Sequence, residues 1–427
     1  MTPDRRTFLG TLAAGLFVRP SFAGPSFAGL GDSWAGVPVR RITSGPKFHW
    51  FGYYDKLQFG PGDRLVLSNE VGFEGRSPTA DDAIAVGHVD LGDGDRWTPV
   101  GASNAWGWQQ GCMLQWRPES GQLLWNDREA DRFVCRLHDP ATGDTQTIDD
   151  AVYTVDPSGR FAMTTDFQRI QNMRPGYGYA GVRDAYEDVK APADSGVRRV
   201  DLSTGRSELV FPYADAAAIP HDGTDLSTKW HYFNHLLVSP DSRRFIVLHR
   251  WRDRPARARG QSFGGGFTTR MFTVDVDGTD PYLLDPSGFT SHFIWRDPEH
   301  VCAWSKYGGR QRFFLYRDRT GEVTPVGPEL MPRNGHNTYL NRDGADWILN
   351  DTYPVGDERL QRLYLYHTST DSRTDLAAFH EPPEYRGEVR CDLHPRGNRA
   401  GTFACVDSTH EGGRQMYLAD LRGVVGT

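Results

Sequence analysis

No stretch of this chain stays apolar long enough to cross a bilayer as a permanent helix; the apolar run from Phe8 to Val18 is too short. Long helix-forming stretches are missing as well. Basic residues do not collect on one element and the formal net charge is −7, which excludes a nucleic-acid-binding surface. There is no G-x-S-x-G elbow, P-loop, dinucleotide fingerprint or haem-attachment motif, and the "FGGGF" at 263–267 lacks the strand–helix context that phosphate binding requires. Cysteine is scarce: Cys112, Cys135, Cys302, Cys391 and Cys405. An odd number leaves at least one thiol unpaired. Cys112, Cys302 and Cys405 read as core residues, with a disulfide bridge as the alternative, whereas Cys391, close to His394, is a candidate metal ligand.

What the chain has instead is punctuation. It holds 47 Gly, 27 Pro and 12 Trp among 427 residues, a profile of many short strands joined by tight turns. A unit of apolar strand, Pro/Asp/Gly turn and apolar strand recurs seven times. Examples are "GCMLQWRPESGQLLWND", "HLLVSPDSRRFIVLHR" and "CDLHPRGNRAGTFACVDS". Second hairpins such as "RMFTVDVDGTDPYLL" commonly come after it. Two hairpins make a four-stranded antiparallel blade, and seven blades predict an all-β, seven-bladed β-propeller; six or eight blades, or two packed sandwiches, are the alternatives.

Arg5 and Arg6, the short apolar run and small-residue sites at Ser21-Phe22-Ala23 or Ser26-Phe27-Ala28 predict a twin-arginine export signal over residues 1–28. That implies the twin-arginine machinery as a partner, a periplasmic or secreted protein with no stable membrane span, and a single propeller domain over 29–427.

Histidines recur near the starts of successive repeats: His235, His292, His336 and His394. In a propeller these positions converge, so His235, His292 and His336 are expected to offer imidazoles to a divalent ion, zinc among the candidates, with His394 or Cys391 completing the set. The alternative for each is a turn histidine bonded to the neighbouring blade. "HWFGYYDK" supplies His49, Tyr53, Tyr54, Asp55 and Lys56; strand alternation would put Tyr54 and Lys56 on one side, with Lys56 suited to a substrate carboxylate. An Asp55–Lys56 structural pair is the competing reading. Residues 168–196 and 251–269 interrupt the rhythm as candidate rim loops. Within the first, "RPGYGY" places Arg174 as a carboxylate clamp beside Tyr177 and Tyr179. A tyrosine serves as a base only if positive charge lowers its pKa. Trp106 and Trp108 form a possible sugar platform; Gln109, Gln110, His231, Asn234, Arg390, Asp392 and His410 complete the candidates.

Together "HWFGYYDK", "WQQGCMLQW", "RPGYGY", "FNHLLVSPD", "TSHFIW", "GHNTYL…DTYP" and "RCDLHPR…HEGGRQMY" resemble the seven-bladed propeller polysaccharide lyases, particularly the ulvan lyase group, over roughly residues 43–424. The resemblance implies β-elimination next to a uronic acid in an anionic polysaccharide or oligosaccharide. It implies Tyr177 or Tyr179 as the phenol, Arg174 as the clamp, His49 or His231 as a second proton-transfer group, and zinc held by histidines with a cysteine or carboxylate. A propeller lyase acting on oligogalacturonate is a second, metal-dependent precedent. A non-catalytic glycan-binding propeller and a glycoside hydrolase are the competing functions.

Overall fold

The computed structural model describes residues 33–34, 36–253, 255, 266–340 and 345–426. The export signal predicted over 1–28 and most of the 251–269 loop (254 and 256–265) lie outside them. The chain forms seven four-stranded antiparallel blades in a ring, a seven-bladed β-propeller. Blade 1 opens with Phe48–Trp50, blade 2 with Gln115–Trp116, blade 3 with Thr154–Val155 and blade 4 with Trp230–Val238. Blades 5 to 7 open with Phe293–Asp297, Thr338–Tyr339 and Arg396–Gly397. The last blade is completed from the other end of the chain: Val39–Arg41 pairs antiparallel with Gln415–Asp420. Ser33–Trp34 adds a short parallel strand to the edge of blade 6.

Apolar side chains from facing blades fill the seams. Tyr153, Phe167, Phe211, Phe233 and Phe272 belong to one buried cluster, and Trp50, Trp106, Trp108 and Trp116 to another. Close packing of this kind makes each seam intolerant of lost volume. All five cysteines are buried as free thiols.

Two local departures from regular strands shape the centre of the ring. Residues 54–56 form a turn rather than the alternating strand expected from "HWFGYYDK", because the chain bends at Gly52 (φ 120°). A Cβ on Gly52 would sit 2.8 Å from the carbonyl carbon of Gln110, so only glycine fits. In blade 4 the ladder slips between Asn234 and Leu236, leaving His235 unpaired at φ 55°. Such a bulge re-aims a side chain.

Several histidines are buried as neutral bases. Arg270 Nε donates to His249 Nδ1 (3.1 Å), so His249 Nε2–H must donate to His231 Nδ1 (2.8 Å), and His231 Nε2–H to the Leu226 carbonyl (2.8 Å). The chain is satisfied only while both rings are neutral. Burial lowers His231 to about 4, and lowers His49 to about 4 although Glu70 opposes the shift. A histidine whose folded pKa lies below its unfolded value near 6.5 contributes full stability above that value and loses it as pH falls. The contribution of these two histidines to the unfolding free energy is therefore expected to be constant above about pH 6.5 and to fall between there and pH 4, by about 3 kcal/mol each at the acid end. The raised carboxyls of Glu381 (about 7) and Asp166 (about 6) act in the opposite direction. Imidazole NMR titration checks the assignment, which a His231 or His49 ring titrating near 6.5 in the folded protein would contradict.

Candidate active site

His292, His336 and His394, from the loops just before the first strands of blades 5, 6 and 7, meet Tyr53, just after the first strand of blade 1, and His235, on the bulge of the first strand of blade 4. Tyr53 stacks on His235 with ring centroids 4.9 Å apart and meets His394 edge-on at 5.1 Å. His336 lies 4.1 Å from His292 and 4.2 Å from His394, ring to ring. Blades 1, 4, 5, 6 and 7 thus each deliver an aromatic or imidazole ring to a common cluster.

Within it, one ligand atom from each of His336, Asp392 and His394 falls inside a 4.8 Å group, all three residues buried. Asp351 organises the group. Its carboxylate accepts from the His336 backbone N–H (2.7 Å) and the His394 backbone N–H (3.2 Å), and lies 3.0 Å from His336 Nδ1. A carboxylate on one ring nitrogen fixes the tautomer and leaves the other nitrogen as a donor to a metal. Burial, then the neighbouring His336, hold His394 well below the usual histidine range, so it offers a lone pair at neutral pH. Asp392 Oδ2 accepts from Arg390 Nε at 2.7 Å, whereas Asp392 Oδ1 is buried with no hydrogen-bond partner among the described residues. A buried carboxylate oxygen left in this state is costly unless a cation completes it. Two imidazoles and a carboxylate suit a divalent first-row ion. His292 stands beside them, its Nδ1 held at 3.0 Å from Asn334 Oδ1 and its Nε2 3.3 Å from the Tyr353 hydroxyl.

Next to this group is Tyr177. Its hydroxyl receives a hydrogen bond from Arg390 Nη2 (3.1 Å), and the Arg174 guanidinium lies over its ring at 4.0 Å. Burial pushes the phenol up, but the Arg174 and Arg390 charges more than offset it and bring Tyr177 below the ordinary tyrosine range. Tyr179 goes the other way. It stacks on Phe167 at 4.2 Å, accepts from Asn126 (3.0 Å), and burial raises its pKa well above the usual value. Arg174 owes its position to the helix Phe167–Met173, which it terminates with its N–H on the Ile170 carbonyl.

The remaining residues singled out from the sequence are spread more widely. His235 Nδ1 faces Gln110 Nε2 (3.2 Å) and the Tyr153 hydroxyl (3.3 Å), outside the His336/Asp392/His394 group. Cys391 is likewise not in that group; its charged neighbours are Arg414, Asp407, Glu381 and Glu74, while Asp392 and His394, two residues apart, reach the same point. Gln109 supports the Arg390 loop by donating to the Glu388 (2.8 Å) and Arg390 (3.1 Å) carbonyls. Tyr54 donates to the Phe293 carbonyl (2.8 Å) and accepts from the Phe293 N–H (3.0 Å), joining blade 1 to blade 5. Lys56 is buried on Asp55 at 2.8 Å. Trp106 and Trp108 are buried in the core, their indole N–H groups on the Asp82 and Arg76 carbonyls, so neither presents a face to solvent. His49 faces Glu70 at 3.5 Å and Trp97. His231 has both ring nitrogens engaged, one by His249 and the other by the Leu226 carbonyl.

Sequence reasoning missed Asp351, Asn334, Tyr353 and Arg250. Asp351 and Tyr353 lie in "NDTYP", where an acidic residue ending an apolar strand was a usable signal. Arg250, buried within the apolar strand Arg244–Arg252, was another.

No protein-family model matches the chain, and no curated protein matches it in sequence. Solved structures do. An oligogalacturonate lyase from Vibrio parahaemolyticus superposes with TM-score 0.62 at 14% identity, covering 92% of this chain and 95% of that one. An oligogalacturonate lyase in complex with manganese gives 0.61 at 15%, with 92% and 95% covered. At these identities the likeness establishes the shared propeller.

The metal group makes a direct prediction. Calorimetric titration with manganese or zinc should show binding to the unaltered protein. Asp392→Asn and His394→Ala should abolish it, Asp351→Asn should weaken it by roughly 10- to 100-fold, and Cys391→Ser should leave it unchanged.

Proposed function

We propose that this protein is an exported lyase that cleaves a uronate-containing oligosaccharide or polysaccharide by β-elimination. The observation that carries the reading is Tyr177, a buried phenol whose pKa two arginines bring down, set beside a candidate metal group. Propeller lyases of the same fold, one of them complexed with manganese, support it. Export through the twin-arginine pathway to the periplasm or beyond belongs to the same proposal and rests on Arg5, Arg6 and the apolar run after them.

The chemistry assigns one task to each group. Arg390 and Arg174 receive the C6 carboxylate of the reacting uronate, which makes its C5 proton more acidic. Tyr177, whose ionised form the two arginines favour, takes that proton when deprotonated. The C5–H electron pair becomes the C4–C5 double bond, the C4–O4 bond breaks, and the Tyr177 phenol returns its proton to O4. A divalent cation held by His336, Asp392 and His394, with His292 as a further donor, would add positive charge at the carboxylate; imidazole–carboxylate donors accommodate zinc as well as manganese. His235, neutral and stacked on Tyr53, walls the site on the blade 4 side.

Incubation with polygalacturonate, oligogalacturonate, ulvan, glucuronan and a rhamnose–glucuronate glycan tests the proposal, with ultraviolet absorbance reporting the unsaturated uronate. The expected result is a rising signal on at least one, with a rate that increases with pH through an apparent pKa below about 10. Tyr177→Phe should lower kcat roughly 100- to 10,000-fold, whereas Tyr179→Phe should cost only about 1 kcal/mol of stability. Products with ordinary reducing ends and no absorbance would establish hydrolysis instead. Saturable binding without chain shortening would establish a glycan-binding propeller.

A further inference from the structure

Close to Arg174, blade 4 carries a second set of polar groups with no task in the proposed reaction. Tyr232 and Arg250 are directly opposed across the strand pair Trp230–Val238 and Arg244–Arg252, and Asn234 comes two residues after Tyr232. Opposed and alternate residues share one face of a sheet. Arg250 is buried, yet its hydrogen bonds run to neutral acceptors, Asn234 Oδ1 (2.7 Å) and Thr269 Oγ1 (3.0 Å). The charges that act on it are a second cation, Arg174, and the phenols Tyr232, Tyr177 and Tyr53. Phe267 covers both cations, 4.8 Å from Arg174 and 4.9 Å from Arg250.

Arg250, a buried cation beside another cation and with no carboxylate bonded to it among the described residues, is unfavourable unless an anion joins it. Two further orphans point the same way. The Tyr232 hydroxyl and Asn234 Nδ2 have no hydrogen-bond partner among the described residues, and both residues are 0% exposed. Phe267, which packs on Arg250, and Arg174 are each partly exposed.

The geometry points to an oxyanion subsite formed by Arg250, Tyr232 and Asn234, which binds an acidic group on the sugar adjacent to the one that reacts at Tyr177. The acidic group is a uronate carboxylate or a sulfate ester; both present oxygens that accept from a guanidinium, a hydroxyl and an amide N–H. The assignment to a substrate rests on the proposed lyase reading, but the subsite itself is a statement about binding.

Calorimetry on the Tyr177→Phe protein, in which turnover is blocked, tests it with two probes: trigalacturonate, and a sulfated rhamnose–glucuronate oligosaccharide. Whichever of the two binds more tightly identifies the group. Adding Arg250→Gln should then eliminate measurable binding of that probe, and Arg250→Lys should retain part of it. Tyr232→Phe is the sharper variant, because the hydroxyl it removes has no partner among the described residues. It should leave the urea midpoint unchanged and raise Kd roughly tenfold. The inference is overturned if neither probe binds, or if both Arg250→Gln and Tyr232→Phe leave Kd unchanged. It is also overturned if Tyr232→Phe destabilises the free protein without affecting Kd, since the hydroxyl would then be serving the fold. Elimination by the unaltered enzyme with Arg250-independent affinity would sink this subsite and spare the reaction. Arg250-dependent binding without elimination would do the reverse.

Discussion

Closure of the ring is the constraint on which the rest of this molecule depends. Groups from five blades meet within a few ångströms, and each is placed by the blade before and the blade after it. The last seam cannot be made by chain continuity, so it is made by pairing. Val39–Arg41 lies beside Gln415–Asp420 with Arg40 opposite Leu418. The register extends past the strand, with Ile42 N–H on the Met416 carbonyl (2.9 Å) and the Thr43 hydroxyl accepting from Met416 N–H (2.9 Å). Deeper in the same seam, the Asp407 carboxylate accepts from Arg396 Nη2 (2.8 Å) and from the Phe51 and Gly52 backbone N–H groups, each at 3.2 Å. That carboxylate ties blade 7 to the bend that delivers Tyr53. A buried ion pair adds little net stability, but removing one partner is severe, so its role is to fix one arrangement rather than to strengthen the fold.

From that closed frame the site divides by charge. The imidazoles of His235, His292 and His394 are all driven toward the neutral form, burial being the first cause in each case. The permanent positive charge comes from arginines, which keep it when buried. Arg390 is balanced by Asp392, while Arg174 and Arg250 press on each other and on Tyr177. The result is a phenol that sits between two cationic arms, one leading to the candidate metal group and the other to blade 4. An uncharged environment would have raised Tyr177 as burial raises Tyr53, Tyr153 and Tyr353 around it.

The architecture was legible because turn chemistry repeats: seven Pro/Asp/Gly turns at the same place in seven units leave few other folds. The convergence of His336 and His394 was legible for the same reason, since repeat register puts equivalent positions near one another. What sequence could not resolve was direction. His235 occupies a similar register to the others, but a single-residue bulge turns it toward Tyr53 and Tyr153. Cys391 and Asp392 are adjacent, and only the path of the chain decides which one reaches His336. Trp106 and Trp108 look equally suited to a sugar face or a core, and burial against Trp50, at 5.6 and 5.5 Å, settles it. The "RPGYGY" loop offered two tyrosines; Phe167 stacks on one, and the arginines take the other.

The same geometry explains why a propeller can hold such an unfavourable concentration of like charge. Arg174 rides on an insertion in blade 3, Arg250 on a strand of blade 4 and Arg390 on the approach to blade 7, so no single element carries more than one of them. Arg250 and Arg390 are each anchored before they meet the others: Arg250 by Asn234 and Thr269, Arg390 by Asp392. In the proposed elimination an anionic ligand arriving between these arginines would offset their repulsion, and the same charges would favour the negative charge that develops on the substrate.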